Sequence, residues 1–380
     1  MKKISLFLLL LALFTSACEI RSSQTVRIGI IAYLQGNGDA IATSGTPSLN
    51  AARLAVDEIN ARGGVNINGQ RANVELVVAS TENDAAKVQA ATGKLIQTDK
   101  VVAIVGPQYS GDAIVAGDIA QRLNVPLITG TATNPQVTQG RNFVFRIPFT
   151  DDFQGRALAD FAYYDLQARR IGVFYDANDI YSNGLAQTFI TAAEALGSRV
   201  VLTETFESGN VNIQPQIDRL LAAKLQLIFM PVYPADAMLQ VGLLVKGGYP
   251  GYLLGGDGWD AVTQVKLPAF NHTYASTSYS VKVTYPENRQ FIEKYQQIYG
   301  NPPNDSAASV YDAFNLIFRA IETAGSALPV DIQSSLMSMP VYNGATGPID
   351  FVNSGDPAKP AYILYFLDGE LHFFKAIQLK

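Results

Sequence analysis

From residue 26 onward, short β-branched apolar runs alternate with longer stretches whose apolar residues return at helical spacing. Val26 to Ala32 predicts a strand. Ser48 to Arg62 predicts a helix, because Ala52, Ala55, Val56 and Ile59 fall on one face, and Gly63-Gly64 stops it. Further strands are predicted at Val74 to Ala79, Val101 to Val105, Val125 to Thr129, Ile171 to Tyr175, Val200 to Thr205, Leu227 to Val232 and Tyr252 to Gly255. Helices are predicted between them at about Ala85 to Gln97, Asp112 to Leu123, Phe153 to Gln167, Leu185 to Leu196, Ile213 to Ala223 and Ala235 to Val245. Near-continuous apolar strands alternating with helices predict an α/β fold in which parallel sheets are covered on both faces, as two doubly wound, Rossmann-like lobes.

The rhythm breaks late in the chain. Asn288 to Tyr299, Ser306 to Ala324 and Val330 to Ser338 read as three consecutive helices, and Tyr362 to Phe374 as a hairpin turning at Asp368-Gly369. Helices without strands cannot form their own α/β unit, so they are expected to return and cover the first lobe, leaving the hairpin to the second. No solenoid repeat is evident.

The first residues follow a different pattern. Met1-Lys2-Lys3, the apolar run Leu6 to Phe14 and the small residues Thr15-Ser16-Ala17 have the layout of a secretory signal. The run is shorter than the roughly 20 apolar residues that a membrane span needs. Thr-Ser-Ala-Cys resembles a bacterial lipobox, in which Cys18 becomes the lipidated N-terminus after residues 1–17 are removed; an ordinary signal peptide cleaved near a cysteine is the alternative. Thr15 departs from the usual Leu. Cys18 is the chain's one cysteine, which excludes an internal disulfide, and lipidation would remove an unpaired thiol from an oxidising compartment. Residues 18–25 then read as a polar tether. The 380-residue chain suggests two domains at roughly 150 residues each. Its 48% hydrophobic and 16% charged composition argues for a folded body, and a net charge of −5 without a dense Lys/Arg run argues against a nucleic-acid partner.

Catalytic signatures are scarce. There are two histidines, His272 and His372, in apolar or Tyr-rich surroundings that suggest structural roles, and no His-Glu-x-x-His or Gly-x-Ser-x-Gly motif, so neither a metal nor a cofactor is expected. Residues 36–41 carry glycines after a strand but lack the third glycine of a dinucleotide fingerprint. Asp151-Asp152 are adjacent and expected to be solvated.

Open α/β sheets bind ligands at the carboxyl ends of their strands. Gly106-Pro107-Gln108-Tyr109-Ser110-Gly111 follows one strand and leads into a helix, where Ser110 is either a simple cap or an anion donor. Gly130-Thr131-Ala132-Thr133-Asn134-Pro135 follows the next strand and adds hydroxyls. In the second half, Asp179-Ile180-Tyr181, Tyr233 and Gly255-Gly256-Asp257-Gly258 occupy equivalent ends. Tyr181 and Tyr233 offer ring faces to an apolar group or an ammonium, and Asp257 offers a carboxylate among glycines. Anion donors on one lobe and an acid with aromatic walls on the other suit a zwitterion.

These segments, with Ala55 to Gly64, Tyr181 to Gly184 and Gly344 to Gly347 before Ile349-Asp350-Phe351, give the chain from about Val26 to its C-terminus a resemblance to the type I periplasmic solute-binding proteins of branched-chain amino-acid ABC transporters. The resemblance implies that Ser110 and Thr133 hold a ligand carboxylate, that the Thr131 carbonyl and Asp257 receive its ammonium, and that Tyr181 and Tyr233 shape the pocket. Tyr109 would narrow the side-chain pocket, and residues between Tyr33 and Gly45 would set specificity. Some relatives carry Glu where Asp257 stands. It also implies lobe one at 26–148 plus 281–346 and lobe two at 149–280 plus 347–380, joined by a three-crossing hinge that closes like a flytrap.

The expected function is capture, without chemistry, of a neutral branched or aromatic amino acid by a lipid-anchored monomer in the periplasm or at the cell surface, for delivery to ABC permease subunits. Asp39 and Asp257 leave a basic ligand open. The alternatives are a sensory ligand-binding protein acting through a membrane receptor, and an α/β hydrolase using Asp151 or Asp257, against which the lack of a histidine partner weighs.

Overall fold

The computed structural model describes residues 25–34, 45–81, 84–264, 268–351, 354–368 and 370–378. The leader, Cys18, most of the tether and the 36–41 segment with Asp39 lie outside them.

In the first half of the molecule, strands β1 (Thr25–Ala32), β2 (Val65–Ile67), β3 (Gln70–Ser80), β4 (Ala103–Val105), β5 (Leu127–Thr129) and β6 (Val144–Arg146) form one sheet in the order β2-β3-β1-β4-β5-β6. All neighbours pair in parallel except β2, which runs antiparallel to β3. The apolar run of β1 is needed because both faces of the sheet are covered. Ile28 and Ile30 pack with α1 (Gly45–Ala61), whereas Ile31 packs with α2 (Ala85–Gln97) and α3 (Ser110–Leu123). Asn60 near the end of α1 bonds both backbone groups of Val74, its amide donating to the carbonyl and its oxygen accepting from the N–H, each at 2.8 Å. That bidentate contact ties helix to strand.

The second half begins with α4 (Asp151–Asp160), which runs into a π-helical turn at Phe161–Asp165. There follow β7 (Arg170–Asp176), α5 (Ile180–Leu196), β8 (Arg199–Phe206), α6 (Gln214–Ala222), β9 (Leu227–Met230), α7 (Pro234–Lys246), β10 (Tyr252–Gly255) and β11 (Thr273–Thr277). These five strands are parallel in the order β8-β7-β9-β10-β11. Along β9, Leu227 and Phe229 face α4 and α5 while Ile228 and Met230 face α6 and α7, the two-residue alternation of a strand buried on both sides.

The three consecutive helices are α8 (Pro286–Tyr299), α9 (Asp305–Ala324) and α10 (Pro329–Ser338). Phe291, Phe314 and Ile332 join the core of the first sheet, with α9 against α1. After a small hairpin, β12 (Tyr342–Gly344) and β13 (Gly347–Ile349), the chain forms β14 (Ala361–Leu367) and β15 (Glu370–Ile377), which extend the second sheet beyond β11 in antiparallel fashion. The predicted helices and strands recur with shifts of a few residues, but β2, β6, β11 and the β12–β13 hairpin were not foreseen. Their short runs carry little periodicity, and β11 reads TYAST.

Helix α9 also carries two of the crossings between the halves. Asp305 at its start accepts from the Thr277 hydroxyl (2.9 Å) and from Ser278. Asp312, two turns on, accepts from the N–H groups of Ala345 (2.7 Å) and Thr346 (2.8 Å) and from the Thr346 hydroxyl (2.6 Å).

Candidate functional site

On the first half, the site rests on two loops at the carboxyl ends of β4 and β5. Gly106 has φ +87°, and a Cβ there would lie 2.3 Å from the Ile31 carbonyl oxygen, so glycine is needed for the loop to pass over the neighbouring strand. The Thr129 hydroxyl donates to the Pro107 carbonyl (2.7 Å) and the Thr131 hydroxyl to that of Gln108 (2.9 Å), which fixes the loop against its neighbour. Ser110 is the first residue of α3, buried, and its Oγ accepts from the Asn134 N–H at 3.3 Å. Its hydroxyl hydrogen stays free to donate. Thr133 is buried too, and its hydroxyl has no partner among the described residues.

Behind this segment lies Arg146, wholly buried at the end of β6. Its guanidinium donates to the carbonyls of Ala132 and Asn134, both at 3.0 Å, to the Thr138 hydroxyl at 2.8 Å and to Asp356 at 2.5 Å. Burial lowers its pKa from the ordinary value, and Asp356 opposes the shift. A planar fork that grips alternate carbonyls fixes how the 132–134 backbone turns.

On the second half, Asp179 caps α5 through the Ser182 N–H (2.7 Å), which sets Tyr181 in the first turn. The buried Tyr181 hydroxyl donates to Asp257 (2.9 Å) and accepts from the Gly258 N–H (2.9 Å). Gln154 of α4 donates from Nε2 to the same Asp257 oxygen at 2.7 Å. Burial pushes the Asp257 carboxyl up to about 6, while these two donors hold it down and Asp305 adds to the rise. At Gly256 a Cβ would meet the Tyr181 oxygen at 2.6 Å, so a side chain there would push Tyr181 off Asp257.

The two halves meet through aromatic rings. Tyr233 stacks on Tyr181 with centroids 5.0 Å apart, and Tyr109 of the first half meets Tyr233 edge-on at 4.5 Å. Tyr33 lies 6.3 Å from Tyr109. Polar contacts between these facing loops include Asn134 Nδ2 donating to the Ile180 carbonyl (2.9 Å) and the Asp151 N–H donating to the Thr133 carbonyl (2.9 Å). Beside Tyr233, Asp176, Asp179 and Asp236 help to line a cavity of about 460 Å³, but each carboxylate caps nearby backbone or Ser208.

The structure thus places Tyr109, Ser110, Thr131 and Thr133 on one wall and Tyr181, Tyr233 and Asp257 on the other. The expectation that Asp151 is solvated is corrected: it is 1% exposed. Its backbone N–H donates to the Thr133 carbonyl across the junction and its buried carboxyl is close enough to Asp257 to be raised by it, while Asp152 is exposed. Sequence reasoning also passed over Gln154 and Arg146. The Thr150 cap starts α4, and an i, i+3 pair from Asp151 shares a face with Gln154, which was the available signal. His372 stacks on Tyr365, and His272 is exposed. No group of three or more potential metal ligands occurs among the described residues.

Two doubly wound lobes with a donor wall facing an acidic, aromatic wall define the class of two-lobed solute-binding proteins. The chain belongs to the periplasmic binding protein family, whose model matches residues 25–370. It is 26% identical to the "Amino acid binding protein" of Pseudomonas aeruginosa over 96% of this chain and 97% of that protein. It is 24% identical to the leucine-, isoleucine-, valine-, threonine- and alanine-binding protein of the same organism, over 90% of each. Among solved structures, the leucine-binding protein LivK of Thermotoga maritima superposes with a TM-score of 0.85 at 31% identity, covering 93% of this chain and 99% of that one. LivJ of Streptococcus pneumoniae, solved with isoleucine, gives 0.85 at 27% identity, covering 94% and 100%. These relatives are binding proteins, not enzymes.

Proposed function

We propose that this protein captures a neutral amino acid, branched or aromatic, between its lobes and presents it to an ABC permease. The single observation that carries the reading is the opposition of Ser110 and Thr133 to Asp257 across a junction walled by Tyr109, Tyr181 and Tyr233. Charges withdrawn from water need fixed partners. The hydroxyls and the α3 N-terminus would take the carboxylate, the Thr131 carbonyl and Asp257 the ammonium, and the rings the side chain. The names of the leucine-binding relatives support the same ligand class. In this reading the lobes are 26–148 with 281–346 and 149–280 with 347–380, bending about three crossings. No helix among the described residues is long and apolar enough to cross a membrane. Attachment would come from lipid on Cys18 of a monomer in the periplasm or at the cell surface.

A thermal-shift screen of the twenty amino acids tests the capture, since a ligand stabilises by RT ln(1 + [L]/Kd). A leucine, isoleucine, valine or aromatic response is expected; no response to any amino acid would refute the reading. Cys18→Ser should release the protein from membranes, and unchanged attachment would remove the lipid.

A further inference from the structure

Beside the unpartnered Thr133 hydroxyl, the junction holds a cluster of buried acceptors. Both carboxylate oxygens of Asp151 and the Oε1 of Gln154 are buried without a donor among the described residues. The Gln154 amide cannot be turned to relieve this, because its Nε2 is committed to Asp257 at 2.7 Å. A buried acceptor without a donor is costly, and three beside one ionisable partner mark the seat of a cationic donor. A primary ammonium has three N–H groups. We propose that Asp151, with the Gln154 amide oxygen, completes the ammonium subsite opposite Asp257, so that the site selects ligands bearing a primary ammonium. This rests on the capture reading and adds the residues and the selection.

A consequence is proton-linked capture. Two carboxylates withdrawn from water do not both ionise readily without a cation. Burial and the Asp257 carboxylate raise the Asp151 pKa well above its ordinary value. Asp152 adds to the rise and Arg146 opposes it, as does the Thr133 hydroxyl without completing a hydrogen bond of normal geometry. The other groups facing it are the Tyr181 and Tyr233 hydroxyls, which burial keeps protonated. An arriving ammonium therefore displaces the Asp151 proton, and affinity falls as acid returns that proton to the carboxylate.

Calorimetry on the full chain tests this, using whichever of the twenty amino acids binds most tightly and its deaminated acid. Asp151→Asn should weaken the amino acid roughly tenfold to a hundredfold and leave the deaminated acid unchanged. The native protein should release protons on binding, read from the buffer dependence of the binding enthalpy across a pH series, and Asp151→Asn should abolish the part that Asp151 contributes. Asp151→Ser serves if the Asn variant does not fold. An amino acid that binds both proteins equally, with unchanged proton release, overturns the Asp151 assignment alone. A native protein that binds no amino acid overturns the capture reading and this assignment together.

Discussion

At the scale of single residues, the site divides its charged work between short hydroxyls on one wall and a scaffolded carboxylate on the other. Ser110→Ala and Thr133→Ala should each cost about 1.5–3 kcal/mol of binding, the range for hydrogen bonds to a charged group. Their double variant should lose less than the sum if both hold one carboxylate, which calorimetry on the four proteins measures. Unchanged affinity in both single variants would remove them from the site. Asp257→Ala removes one charged partner of the ammonium and leaves Asp151 and Gln154 to hold it; it should cost about 1.5–3 kcal/mol, with Asp257→Asn between. A deaminated analogue should bind the native protein poorly and lose little further on Asp257→Ala; an equal response of the two ligands would separate Asp257 from the ammonium. The candidate residues were legible because each is a polar or aromatic side chain at the end of a predicted strand. Asp151, Gln154 and Arg146 were not. The role of Asp151 depends on a backbone contact with Thr133 across the junction, and that of Arg146 on carbonyls that any residue could supply. Pairings set by tertiary placement leave no mark on spacing.

At the scale of elements, the long helices and the buried strands declared themselves by period and length, whereas β6 and β11 did not. Three residues of Val-Phe-Arg form β6 because β5 offers it a parallel edge, Ile128 pairing with Phe145, and not because of their own pattern. Tertiary context overrode weak propensity there. The placement of α4 is the element on which the site most depends, since it delivers Asp151 and Gln154 together. It lies close against α5, where a Cβ on Gly155 would meet Thr188 Cγ2 at 2.7 Å and the Phe189 N at 3.0 Å. Gly155→Ala should therefore push α4 outward and cost about 1–3 kcal/mol of stability, with affinity falling as well because Gln154 leaves Asp257. Urea unfolding and calorimetry on the same preparation check both effects. A variant as stable as the native protein would show that the helices can give way. Arg146→Ala leaves the buried Ala132 and Asn134 carbonyls without their donor, while Asp356, 34% exposed, can turn to solvent; it should cost about 1–3 kcal/mol for each buried group left unpaired, read by the same unfolding experiment.

At the scale of the whole molecule, ligand capture and stability respond to acid in opposite directions. Burial raises Asp257 from 3.8 to about 6, and Asp112, also buried, from 3.8 to about 6. Between pH 4 and 6 the folded protein keeps protons that the unfolded chain has already released, so stability falls as pH rises through that window and is regained on mild acidification. Lys359, buried beside Asp312 and Asp305 and donating to the Thr346 carbonyl at 3.0 Å, is lowered from 10.5 to about 8. Between pH 8 and 10.5 the folded protein has released a proton that the unfolded chain retains, so stability climbs with pH there. Asp151, raised as well, prolongs the fall, so the melting temperature of the ligand-free protein is expected to decline from about pH 4 and to recover only as the Lys359 window opens above about pH 8. Asp257, half-buried and desolvated on the side that faces Tyr181 and Gln154, should contribute about 1 kcal/mol after allowance for solvent, or roughly 2–4 °C. The stabilisation added by a bound amino acid runs the other way, because protonating Asp257 removes the ammonium's charged partner. Melting curves from pH 4.5 to 9, with and without ligand, should therefore converge toward the acid end. Curves that stay parallel down to pH 4.5 would show that the carboxylate seen at the centre of the junction carries no ligand charge.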